Sequence, residues 1–214
     1  MTRPPSARRG RKPNAEVSDP RPTRQRLLDA ANELFYAEGV QSVGIDRIIE
    51  RAGVAKGSLY NTFGSKEALV RAYLESRHEG TTRRLSAVID AVDDPREKLL
   101  AVFDAQGELF EEPDFHGCAF VSASAEATPG GFIEKATEDY RSWVRTMFTD
   151  LAAATGVRDP EALGRQLQLV YDGAGLAADI DRDPTVALSA RTAAAALLAA
   201  ALAESDTSHA SGRR

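Results

Sequence analysis

The stretch that most limits how this chain can fold is Ile45 to Phe63, IDRIIERAGVAKGSLYNTF. Ile45, Ile48 and Ile49 recur at helical spacing up to Gly53, and Leu59 and Phe63 lie four apart after Lys56. Two short helices on either side of a tight turn make a helix-turn-helix. In that motif the second helix lies in the major groove and its N-terminal residues reach base edges. The residues suit the task. Lys56 stands in the first turn, where the helix dipole favours phosphate. Gly57 lets backbone come close. Ser58, Asn61 and Thr62 are short donors and acceptors. Tyr60 can offer its hydroxyl to a phosphate or its ring to a sugar. Lys66, opening the next helix, can hold a further phosphate, and Gly44 begins the first of the two short helices. Leu59 and Phe63 should face a three-helix core.

Almost everything else between residues 22 and 205 reads as helix, because no long run alternates apolar and polar residues with period two. A first helix is expected from Thr23 to Glu38, with Leu27, Leu28, Ala31, Leu34 and Phe35 on one face, Thr23 as cap and Gly39 as a left-handed stop. Ser65 should cap a long fourth helix reaching Val92, weakened in its middle by Gly80. Asp94-Pro95, Asp159-Pro160 and Asp183-Pro184 each look like a helix start, Asp accepting free N–H groups and Pro fitting the first helical position. Asp94 with Glu97 reads as a capping box. These starts give helices near 95–111, 160–179 and 184–204, while Pro129-Gly130-Gly131 parts a short helix near 118–127 from a longer one near 132–154. The expectation is an all-α chain of about nine helices.

Charge divides the chain in two. The net charge of −5 would by itself argue against nucleic acid, but residues 1–71 carry 13 Lys and Arg against 8 Asp and Glu, and the remainder carries 14 against 24. A basic head on an acidic body fits polyanion binding at one end. Residues 1–21 hold hardly any apolar side chains and are expected to form a disordered basic arm, as are residues 206–214 to form a disordered tail. Cys118 is the only cysteine, so no disulfide framework is possible. No charge-free stretch of about 18 apolar residues appears, so no membrane span is expected. The Met1 end lacks an apolar signal region, and a cytoplasmic location is the default.

The run FYAEGVQSVGIDRIIERAGVAKGSLYNTFGSKEALVRAYL resembles the DNA-binding head of the tetracycline-repressor (TetR) family. The likeness covers about Thr23 to Leu74. It rests on Leu34-Phe35 and Gly39, Ile48, the Ala52-Gly53-Val54 turn, Lys56-Gly57-Ser58-Leu59-Tyr60, Phe63, and Ser65-Lys66-Glu67 before Leu69. Two departures stand out. Val43-Gly44 occupies the place where the family usually has Ser or Thr, and Asp46 opens the second helix where some relatives read a base. An acid there repels phosphate, so its role would be at a base such as a cytosine amine. The resemblance implies a dimeric, all-helical repressor with a head over 22–68 (motif about 44–63) and a regulatory body over 69–205. It also implies that Gly44, Lys56, Gly57, Ser58, Tyr60, Asn61, Thr62 and Lys66 face double-stranded operator DNA, and that a ligand in the body releases it. Arg8-Arg9-Gly10-Arg11-Lys12-Pro13 is similar to arms that enter narrow minor grooves; a solvating tail is the other reading.

In the body, large apolar residues cluster with isolated polar ones, the usual make-up of a small-molecule pocket. Phe103, Phe110, His116, Cys118, Phe120, Trp143, Phe148, Gln168 and Tyr171 are the candidate lining of a largely apolar effector site; an ordinary core is the alternative. No metal or cofactor is expected: His116 and Cys118 have only His78 and His209 as histidine company, too few ligands for a site. Cys118 reads as a buried, inert thiol. The run Ala190 to Leu202 is small and apolar almost all round, hence buried on every side. Gly164, Gly173 and Gly175 precede it, so the segments 160–179 and 184–204 from two subunits are expected to form a four-helix dimer bundle. A regulator without ligand, or an activator, fits the same residues. A small helical enzyme is the remote alternative, since no catalytic set appears and Glu126, Glu134 and Asp172 lack recognisable partners.

Overall fold

The computed structural model describes residues 21–211, with side chains described through Ser205. Among the described residues there are nine α-helices and no strand. They are α1 (Thr23–Glu38), α2 (Ile45–Ala52), α3 (Lys56–Phe63), α4 (Lys66–Asp90), α5 (Pro95–Phe110), α6 (Ala119–Ala125), α7 (Phe132–Ala154), α8 (Pro160–Asp181) and α9 (Val186–Ser211). The basic arm lies outside the described residues except for Arg21, which pairs with Asp29.

The head is built on a shared apolar centre. Leu27, Ala31 and Phe35 of α1, Val43 of the link, Ile48 of α2, Leu59 of α3 and Leu69 and Tyr73 of α4 are all buried there. Phe35 and Tyr73 meet edge to face, with ring centroids 5.5 Å apart. Gly53 takes the left-handed conformation (φ 62, ψ 42) that turns the chain from α2 into α3. Arg26 of α1 closes that turn. Its Nε and Nη2 donate to the Ala52 carbonyl at 3.0 and 2.7 Å, and Nη2 also donates to the Gly53 carbonyl. One guanidinium therefore satisfies carbonyls that the end of α2 leaves open.

Several helix ends differ from expectation. Pro22, not Thr23, occupies the cap of α1, and no side chain closes it. Gly39 ends α1 at φ 89, ψ 156, a glycine conformation but not the left-handed helical one. Asp94 caps α5 by accepting from the Arg96 N–H at 2.9 Å, but Glu97 reaches Arg191 of α9 at 3.4 Å, so the box does not close. Asp183 accepts from the Thr185 N–H and hydroxyl (2.9 and 2.7 Å), forming a turn before α9 instead of its cap. The expected tail is helical as far as Ser211; no Gly or Pro interrupts the chain between Pro184 and Gly212. Ser65 and Asp159 cap as expected, accepting from Ala68 and Ala162 at 3.1 and 2.9 Å.

The body packs α5 and α7 to α9 around Phe103, Phe148 and Tyr171, whose rings lie 5.6 to 6.3 Å apart. Among the described side chains, the buried residues of α9 form one stripe: Ala187, Ala190, Ala194, Leu198 and Ser205. The expectation of burial on every side fails within the protomer. By length and composition alone Val186–Ser205 is apolar enough to cross a membrane, although it is not charge-free, since it carries Arg191 and Glu204. Arg191 within it is held by Glu97 (3.4 Å) and Asp104 (2.8 Å) of α5, which ties this helix to the body.

Replacing Arg26 by Met should keep the packing of its stem and leave the α2 carbonyls uncapped. Charged hydrogen bonds of this kind contribute about 1.5–3 kcal/mol, so urea unfolding should show a loss of about that size. A change below about 0.5 kcal/mol would show that the turn does not depend on Arg26.

Candidate functional site

Helix α3 presents its first turn to solvent. Lys56, Gly57, Tyr60, Asn61 and Thr62 are exposed and Ser58 is half-buried. No side chain caps α3, so its leading N–H groups point outward. A Cβ built on Gly57 would meet nothing within 4 Å, so packing within the protomer does not require a glycine there. Tyr60 is 45% exposed, unusual for a ring of that size. Thr62 is partly occupied, its hydroxyl donating to the Ser58 carbonyl at 2.6 Å. Gly44 caps α2 with extended backbone and no side-chain bond.

Two cations are less free than their sequence positions suggest. Lys56 Nζ lies 2.8 Å from Asp46, and this carboxylate raises the lysine pKa through a hydrogen bond and charge attraction. The acid at the head of α2 therefore meets the neighbouring lysine. Lys66 turns back toward the α1–α2 link, 3.4 Å from the Gln41 carbonyl, with its ammonium over the Phe35 ring. Burial lowers its pKa. Arg47 and Arg51 are likewise paired, with Glu38 (2.8 Å) and Glu33 (2.6 Å).

A cavity of about 560 Å³, partly open to solvent, lies between α1, α4, α5, α6, α7 and α8. Of the nine expected lining residues, Phe110, Cys118, Phe120 and Tyr171 are on its wall. Phe103 and Phe148 are fully buried in the packed core behind it. Gln168 is buried and satisfied, donating to the Arg141 carbonyl and accepting from Arg145 Nε, both at 3.0 Å. Trp143 packs against His78, centroids 5.0 Å apart. His116 sets its ring edge-on to Tyr36, centroids 5.5 Å apart. Neither Trp143 nor His116 is on the wall. Burial pushes the Cys118 thiol above its ordinary pKa, the opposite of what a reactive thiolate needs. Among the described residues no three of His, Cys, Asp and Glu converge as a metal site.

The wall also carries residues that the sequence pattern did not single out: Asn32 and Tyr36 of α1, Arg77, Thr81 and Arg84 of α4, and Gln106 of α5. The available signal was positional. Arg77, Gly80, Thr81 and Arg84 fall on one face of α4, and Gln106 interrupts the apolar face of α5. Tyr36 joins head and body: its hydroxyl accepts from the His116 N–H at 3.0 Å and donates to the Gly117 carbonyl at 2.9 Å. At the other end of α6, Glu126 accepts from the Gln41 N–H at 2.6 Å. Glu126 also fills the space where a Cβ on Gly39 would stand, 2.1 Å away.

Comparison with known proteins agrees with this geometry. Residues 27–73 match the family model described as bacterial regulatory proteins, tetR family. The chain is 37% identical to the uncharacterized HTH-type transcriptional regulator TtgW of Pseudomonas putida, over 41% of this chain and 74% of that protein. It is 37% identical to the HTH-type transcriptional regulator SrpR of the same species, over 41% of this chain and 46% of SrpR, so the match spans only about half of that relative. A solved TetR-family transcriptional regulator from Streptomyces coelicolor superposes with a TM-score of 0.80 at 34% identity, covering 84% of this chain and 95% of that one. Head, body and likeness agree: the chain belongs to the TetR family of DNA-binding transcriptional regulators.

Proposed function

We propose that this regulator is a cytoplasmic repressor that leaves a palindromic operator when a small molecule fills the body cavity. The observation carrying this reading is Tyr36. It belongs to α1 of the head and is also a wall of the cavity. A ligand acts on an equilibrium only through its differential affinity for two states. A molecule that fits the cavity only when the Tyr36 hydroxyl is displaced from His116 and Gly117 therefore favours a second placement of the head.

On the operator side, Lys56, Gly57, Ser58, Tyr60, Asn61 and Thr62 face the major groove. Gly44 lies beside the phosphate backbone at the start of α2, and Lys66 reaches phosphate after leaving Gln41. Lys56 exchanges Asp46 for phosphate. The exposed pair it gives up contributes little, so the exchange costs little.

Two heads per operator require a dimer, and α8 and α9 supply the surface. Leu169, Leu176 and Ile180 are 70%, 55% and 68% exposed and lie along one stripe of α8; Leu188 at the start of α9 is 68% exposed. Gly173 falls on that stripe, and its Cβ position is open. The other two glycines are used within the protomer. A Cβ on Gly164 would come within 2.4 Å of Thr149 of α7, and Gly175 lines the cavity. A twofold pairing buries the leucine stripe against its own copy.

Three measurements test these assignments. Lys56→Met should weaken binding to DNA flanking the coding region and lower the log–log salt slope by about 0.9, the share of one phosphate contact; an unchanged slope removes Lys56 from the phosphate set. Ile180→Asp should turn the dimer into monomers in sedimentation and abolish tight operator binding; an intact dimer would move the interface elsewhere. Organic molecules that raise the melting temperature should lower operator affinity by about ten-fold or more, a typical coupling. One that binds in the cavity and leaves operator affinity unchanged would overturn release by ligand.

A further inference from the structure

Among the described residues, three buried side-chain atoms have no hydrogen-bond partner: Arg84 Nε, Gln106 Oε1 and Asp172 Oδ2. All three residues line the same cavity. Gln106 is the clearest case, being 4% exposed, with its Nε2 committed to the Tyr171 carbonyl at 2.9 Å and its oxygen unused. Buried polar atoms are nearly always satisfied in folded proteins; with Asp172 facing Arg141, Arg84 Nε and Gln106 Oε1 remain beside the cavity as a donor and an acceptor open to a bound molecule. This inference rests on the cavity being the effector site and concerns the chemistry of the effector.

The charges decide its sign. Two carboxylates on the wall already have cations: Asp172 Oδ2 lies 2.8 Å from Arg141, though without hydrogen-bond alignment, and Asp179 lies 3.5 Å from Arg182. Two more, Glu112 and Asp114, are exposed to water. The half-buried cations are in the opposite condition. Neither Arg77 nor Arg84 has a carboxylate within ion-pair distance among the described residues; Arg77 rests on the Tyr36 ring, 3.6 Å from its centroid. They stand seven residues apart on one face of α4, with Gly80 between them, where a Cβ would meet nothing within 4 Å. A mid-helix glycine costs about 1 kcal/mol relative to alanine. Here it keeps the space between two guanidinium groups open. Around this basic strip stand Phe110, Phe120, Tyr140 and Tyr171, rings suited to a flat apolar body.

We propose that the effector is an organic anion: a largely apolar ring system whose carboxylate or sulfonate pairs with Arg84 and Arg77, and which carries an O–H or N–H donor for Gln106 Oε1. Guanidinium groups bind planar anions through directed, charge-assisted hydrogen bonds, and in a half-buried site these discriminate strongly against a neutral analogue.

A matched pair of fluorescent probes tests this on the full-length dimer. 8-Anilinonaphthalene-1-sulfonate and N-phenyl-1-naphthylamine share rings and an N–H donor and differ by the sulfonate. The sulfonate should bind saturably, one per subunit, about ten-fold or more tightly than the neutral amine. Arg84→Met should remove most of that advantage while leaving the amine within about two-fold, and Arg84→Lys should restore part of it. Gly80→Leu, which puts a side chain into the open strip, should weaken both probes. Equal affinities, or an Arg84→Met, Arg77→Met double variant that folds with undiminished sulfonate binding, would overturn the anion assignment and leave the cavity reading standing. Failure of both probes to bind saturably, or indifference of both to Gly80→Leu, would overturn the cavity reading and the proposal with it.

Discussion

Helix α4 runs through the head and body parts of one continuous apolar core. Its first turns, Leu69, Val70, Tyr73 and Leu74, are buried, and Leu69 and Tyr73 close the head; Leu85, near its other end, is buried again. Between them come Arg77, Gly80, Thr81 and Arg84, polar or absent side chains facing the cavity. A helix continuous over 25 residues transmits displacement along its length because its hydrogen bonds are internal. Helix α4 runs on across residue 68, so head and body share this element. Everything functional is placed relative to it: α3 by way of the head core, α5 and α8 by way of the cavity.

Much of this was legible in the chain, and the reasons are local. Gly53 between two short apolar faces announced the turn, and Ser65 and Asp159 announced helix starts, because caps and left-handed glycines are decided by a few neighbouring atoms. The body cavity was only half legible. Phe103 and Tyr171 have the same sequence character, yet Phe103 fills the core and Tyr171 reaches the cavity. That difference is set by which helices meet, which periodicity does not encode. Periodicity does not single out Arg77 and Arg84 for the same reason. Glu97 was expected to close a capping box and instead reaches Arg191, 94 positions away in sequence. Local propensity gives way where a distant charge competes for the same carboxylate.

The head's surface charge follows a consistent pattern. Asp46 holds Lys56, Glu38 holds Arg47 and Glu33 holds Arg51. The three pairs are exposed, where water and salt reduce each to a small contribution. The acids therefore neither silence the basic face nor fix its cations rigidly.

Helix α6 completes the connection between cavity and head. Cys118 and Gly117 lead into it, and Phe120 stacks on Tyr140 of α7 with ring centroids 4.1 Å apart. Both of its ends are fastened to the head, the first through Gly117 and the Tyr36 hydroxyl, the second through Glu126 and the Gln41 N–H. A helix of seven residues held at both ends moves as a unit. Its two tethers reach α1 and the link to α2 respectively. Gly39 makes this possible at the crossing point, since any Cβ there would meet the Glu126 carboxylate. The head is thus oriented by two tethers on one short helix as well as by α4. Phe120, on the cavity wall, lies within one or two helical turns of both tethers.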